Sequence, residues 1–77
     1  MTTTKAYVVE ALDAIMEDVF GRPSKIPFAE SPSAFLEPEQ LALFADLVAE
    51  EFSVDVCVDD AETFNQLVVD IVAALRS

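Results

Sequence analysis

The sequence predicts an all-α fold, a small bundle of three main helices plus one short helix, with a long loop between helices one and two. Three observations predict it. Apolar residues recur at three- and four-residue steps in three separate segments. Glycine occurs once in 77 residues, while Ala, Leu and Val are frequent. Only one stretch alternates apolar and polar residues, and a lone strand has nothing to pair with in so short a chain. Residues 1–77 are expected to form a single domain.

The first helix is read from "TKAYVVEALDAIMEDVFG". Val8, Ala11, Leu12, Ile15 and Val19 make its apolar stripe, and Glu10, Asp13, Glu17 and Asp18 its outer face. Thr3 or Thr4 serves as N-cap and Gly21 as the stop. Residues 21–37 follow as a loop in which prolines at 23, 27 and 32 oppose a regular helix. Its apolar residues Ile26, Phe28, Phe35 and Leu36 are expected to tuck beneath the helices. A loop of this length is uncommon in a compact domain and is often functional.

The second main helix starts at Pro38, a favoured first helical position because the missing N–H has no helical partner there. Glu37 and Glu39 stand at the positive end of its dipole. Leu41, Phe44, Ala45, Val48 and Phe52 form the stripe, broadened by Leu43 and Leu47. "SVDVCVDD" then reads as an extended connector whose Val54, Val56 and Val58 plug the core. Capping-box spacing at Asp59 to Glu62, and again at Thr63 to Gln66, predicts a short helix and then the last one. That last helix is expected to bury Phe64, Leu67, Val68, Ile71 and Leu75, with Arg76 at its negative end.

Charge narrows the function. Fifteen acids face four bases and no histidine, a net charge of −11. Such a surface repels nucleic acid phosphates and anionic lipid. It favours a basic patch on another protein, and it also serves plain solubility. Cys57 is the only cysteine, so no internal disulfide is open to the chain, which suits a reducing compartment. No apolar run approaches membrane-spanning length, and "MTTTKAYVVE" has no signal-peptide pattern, so a soluble, cytoplasmic monomer is expected. Catalytic and metal-ligating residues are expected to be absent: there is no His, no Gly-rich loop and no ligand cluster. Surface pairs such as Glu37 with Glu39, or Asp59 with Asp60, offer only loose cation contacts.

Beyond the periodicity, "LVAEEFSVDVCVDDAETFNQLVVDIV" resembles the acyl carrier proteins of fatty acid and polyketide synthesis. The resemblance rests on Glu50-Glu51-Phe52 closing helix two, the extended Val54 to Val56, and the acidic Asp59-Asp60-Ala61-Glu62. The run from Thr63 to Leu67 and the first-helix ending Phe20-Gly21 extend it over nearly the whole chain. It implies an acyl-carrier-like bundle that docks on synthase or acyl-transfer enzymes through acids of helix two. Glu37, Glu50 and Glu51 fall on matching docking positions, whereas two further family acids are Leu43 and Ala49 here. Glu39 and Asp46, outside the apolar stripe of the same helix, complete the set of expected docking acids. It also implies 4′-phosphopantetheine on the serine of an Asp-Ser-Leu motif at the start of helix two. Counted back from Phe52, that position is Pro38, preceded by Glu37, so the attachment alcohol is missing; a gapped alignment deletes it altogether. The arm therefore enters only if a non-standard serine, Ser33 or Ser31, is used. Two readings remain: a carrier-type docking protein of fatty acid or polyketide metabolism, or a degenerate carrier fold acting purely as an interaction or regulatory module. A noncovalent lipid binder using the core between helices one, two and four is a third.

Overall fold

Helical structure accounts for most of residues 4–76, the part of the chain that the computed structural model describes. The elements are α1 (Thr4–Phe20), a one-turn α2 (Pro32–Phe35), α3 (Pro38–Phe52), a 3₁₀ turn (Val58–Asp60) and α4 (Phe64–Arg76). No strand occurs among the described residues, and 54–57 carry no helix and form the connector between α3 and the 3₁₀ turn, with Cys57 extended. α1 packs against both α3 and α4, while α2 and the 3₁₀ turn close the bundle beside α3.

Local chemistry explains each boundary. α1 ends where Gly21 takes φ +70° and its N–H reaches the Glu17 carbonyl at 2.8 Å. A left-handed residue at this position is nearly free only for glycine. Thr4 is already helical, and Thr3 lies outside the described residues. α3 begins at Pro38 as expected, with the Glu37 N–H donating to Gln40 Oε1 at 3.1 Å. It ends at Ser53, a non-glycine residue at φ 54°, ψ 40°. At α4, Thr63 Oγ1 accepts from the Gln66 N–H at 3.1 Å. The Gln66 side chain turns away to Asp70 Oδ1 at 2.9 Å, leaving half a capping box.

The core is Val8, Leu12, Ile15 and Met16 of α1 against Phe44, Val48 and Phe52 of α3 and Phe64, Leu67, Val68 and Ile71 of α4. Ile26, Leu36, Val58 and Ala61 seal it from the loops. No polar side chain is buried among the described residues. Edge-to-face ring pairs link Phe20 to Phe35, Phe35 to Phe64 and Phe64 to Phe44, with centroids 5.9–6.0 Å apart. Each such pair contributes on the order of 1 kcal/mol beyond its buried area.

Several expectations need correction. Pro32 does not interrupt helix; it opens α2 at a first-turn position, with Ser31 Oγ accepting from the Ala34 N–H at 3.2 Å. Leu43 does not broaden the buried stripe and is 46 % exposed; Leu75, at 36 %, also stays outside. Phe28 and Phe35 remain more than two-fifths exposed, although the Phe35 ring still touches Phe20 and Phe64. Asp13 is not purely an outer-face acid: half-buried, its Oδ1 accepts from the Ile26 N–H at 2.9 Å and pins the loop. Asp59 caps nothing; it lies within the 3₁₀ turn, whose N-cap position is Cys57.

Two stability effects follow. Thr63→Ala removes the side-chain acceptor at the start of α4 and should lower unfolding free energy by about 1 kcal/mol, with Thr63→Asp retaining it. Ser53→Gly relieves the left-handed strain and should raise stability by roughly 0.5–1 kcal/mol. Urea denaturation followed by far-ultraviolet circular dichroism measures both. A Ser53→Gly protein less stable than wild type would contradict the strain assigned to that residue.

Candidate functional site

The residues singled out for docking lie on α3 and at its entrance. Glu37, Glu39, Asp46, Glu50 and Glu51 are all exposed. At 3.6 residues per turn, Glu39, Leu43, Asp46 and Glu50 fall within about 60° of one another. They make a single outward stripe, three carboxylates around one exposed leucine. Glu51 points about a third of a turn away from that stripe, and Glu37 sits at its head as the N-cap residue. The structure thus brings together three of the five expected docking acids. Their setting is one-signed: from residue 26 to residue 75 the chain has eleven acids and no base. The bases are confined to Lys5, Arg22, Lys25 and Arg76, and Arg22 lies over the Phe20 ring with its guanidinium carbon 5.8 Å from the centroid.

Beside the stripe runs a surface groove of about 320 Å³ lined by Pro38, Leu41, Ala42, Ala45 and Asp59. Its walls are the first two turns of α3, and its one carboxylate comes from the 3₁₀ turn. Helical periodicity gave no sign of Asp59 here, because a contact between residues 38–45 and residue 59 depends on how the connector returns to α3. The three small or cyclic residues Pro38, Ala42 and Ala45 are the signal that was available: without long side chains, they leave a furrow. A second groove of about 350 Å³ lies between the acidic face of α1 and the loop, lined by Glu10, Asp13, Ala14, Glu17, Pro23, Ser24 and Lys25.

The attachment candidates divide sharply. Pro38 occupies the first turn of α3 and carries no hydroxyl. Ser31 is half-buried and its Oγ is engaged in capping α2. Ser33 is exposed on α2, four residues before Glu37. Among the described residues no group of three or more Cys, Asp or Glu is placed to hold a metal ion. No helix among them is long and apolar enough to cross a membrane.

Although it lies between two valines, Cys57 is exposed. Residues 56 and 58 face inward, so the alternation of the connector turns residue 57 out. Its thiol pKa is raised, chiefly by the negative charge of Asp60, with smaller contributions from desolvation, Asp59 and Asp55. A carboxylate beside a thiol disfavours the thiolate, which is the nucleophile. Alkylation by iodoacetamide at pH 8 should therefore be slower than for a thiol in an unstructured peptide, and Asp60→Asn should speed it several-fold. Equal rates in wild type and Asp60→Asn, followed by intact mass, would show that this charge does not control the thiol.

No protein-family model, curated protein or solved structure matches this chain.

Proposed function

We propose that this protein is a non-enzymatic docking module of acyl-carrier-like form, which binds basic patches on partner enzymes through α3 and holds no covalent cargo at the helix entrance. The observation that carries the reading is the stripe of Glu39, Asp46 and Glu50 around exposed Leu43, in a span of chain without a single base. Exposed carboxylates on a rigid helix steer a cationic partner at long range, and an apolar residue among them gives the encounter a desolvated centre. Synthase or acyl-transfer enzymes of fatty acid or polyketide metabolism are the partners that the resemblance implies. The lack of an alcohol at Pro38 favours a purely interactive or regulatory role over transport of an acyl group.

A covalent carrier is the second reading, and Ser33 is the residue that keeps it open. It is exposed on the turn just before α3, whereas the Ser31 hydroxyl already accepts a backbone N–H. Incubation with coenzyme A and a broad-specificity phosphopantetheinyl transferase, followed by intact mass, separates the two. The docking-only reading expects no added arm. An arm that appears on wild type and vanishes in Ser33→Ala would replace it with the carrier.

Docking is tested with a short oligolysine peptide as the basic probe. The triple variant Glu39→Lys, Asp46→Lys, Glu50→Lys should lose binding by tenfold or more at low salt. A variant with the same charge change on α1, Glu10→Lys, Glu17→Lys, Asp18→Lys, should lose only the small, screened part that net charge supplies. Equal losses in the two variants would refute α3 as the docking face.

A further inference from the structure

We infer that the groove beside the acidic stripe is a subsite for one lysine or arginine side chain of the docking partner, taking the aliphatic stem along α3 and the cationic head at Asp59. The inference rests on the docking reading above and deepens it. Four of the five lining residues, Pro38, Leu41, Ala42 and Ala45, present only carbon, and the fifth is a carboxylate. Lysine and arginine match that division: they lay a methylene stem on apolar surface and keep the charged end at a polar rim. A groove of about 320 Å³ has room for one long side chain.

Charge complementarity selects this occupant. Asp59 is followed by Asp60, and Asp55 and Glu62 lie close along the chain, with no base anywhere in residues 26–75. Asp55, Asp59 and Asp60 all stand close enough to Cys57 to raise the pKa of its thiol, so their charges share this end of the bundle. A fatty acid would bring a carboxylate into that field, and an uncharged alkyl chain would leave the carboxylate at the rim without a partner. A cation on a carbon stem satisfies both halves of the groove. Its position matters too: Ala42 is about 60° around α3 from Glu39, so a partner helix lying on the stripe places a neighbouring side chain over the furrow.

Stem length is the variable that isolates the groove from the stripe. Oligolysine carries four methylenes per side chain, and oligo-2,4-diaminobutyrate carries the same charge on two. Binding of both at equal length is measured by nuclear magnetic resonance titration near pH 6. The lysine peptide should bind about tenfold more tightly, since each fully buried methylene is worth about fourfold. It should also shift the amide signals of Ala42, Ala45 and Asp59, whereas both peptides should shift Asp46 and Glu50. Ala42→Leu, an exposed helix position where leucine is well tolerated, fills the furrow and should erase the difference between the peptides without abolishing either interaction. Asp59→Asn should weaken the lysine peptide severalfold and leave the diaminobutyrate peptide nearly unaffected. Peptides that bind equally, or a difference that survives Ala42→Leu, would overturn the subsite while leaving the docking face intact. Failure of both peptides to bind would remove the docking face and the subsite together. Dodecanoate moving the Ala42 and Ala45 signals at lower concentration than oligolysine would replace the subsite with an acyl-chain site.

Discussion

The start of α4 is the constraint on which the arrangement depends. A helix begins with N–H groups that have no helical acceptor, and burying them unpaired is costly. Here the Phe64 N–H donates to the Glu30 carbonyl at 2.8 Å and the Asn65 N–H to the Phe28 carbonyl at 3.1 Å. Thr63 Oγ1 takes the next, from Gln66. Two acceptors thus come from the loop between α1 and α2, more than thirty residues away in sequence. The loop cannot leave without exposing the helix start, and α4 cannot form properly without the loop. Phe64 joins the same point to the core: fully buried, its ring meets both Phe35 and Phe44 edge-on. With Asp13 fixing Ile26 from the other side, the loop is held at its middle as well as near its α2 end. That double hold fixes α2, and with it the approach of the chain to Glu37 and α3.

With that approach held, α3 pairs its entrance groups within the chain. The Glu37 N–H is taken by Gln40, Pro38 has no N–H to satisfy, and the Leu41 N–H reaches the Glu37 carbonyl at 2.7 Å. An entrance closed by its own residues has little need of a bound anion, and two flanking glutamates repel one. The helix keeps its chemistry on its outer side instead. There the cost is self-repulsion: like charges on one face destabilise the compact state, and salt or a basic partner relieves them. The protein bears this because its core is wholly apolar among the described residues, so no stability is lost to desolvating buried polar groups.

Much of this was legible in the residues and some was not, for physical reasons. Gly21, Pro38 and Thr63 mark their boundaries because each answers a local requirement: a left-handed residue, a position without a donor, an acceptor for a free N–H. The stripes of α1, α3 and α4 follow from periodicity for the same reason. Pro32 was misread because proline both breaks a helix and begins one, and only the acceptor at Ser31 decides which. Leu43 was misplaced because it is next to Phe44, about 100° around the helix, and a helix covered on one side buries a narrower arc than its apolar residues span. Leu75 has a different cause: it lies in the last turn of α4, beyond the buried run that ends at Ile71. The acids of α3 were visible as a set, yet the furrow beside them was not, since Asp59 reaches it only through the fold of the connector.

That last point bears on how such a surface acquires selectivity. A stripe of carboxylates alone discriminates poorly, because every basic peptide satisfies it and salt weakens all of them alike. Discrimination needs a feature that charge does not supply, such as a site whose occupant must have a particular length and a particular end. Small residues at 42 and 45, with proline at 38, open that space on α3, and the 3₁₀ turn brings one carboxylate to its edge. Position 38 thereby contributes twice: its ring starts the helix without a donor, and the same ring forms one wall of the furrow. A single ring with no hydroxyl and no N–H thus sets both the start of the helix and the shape of the surface beside it.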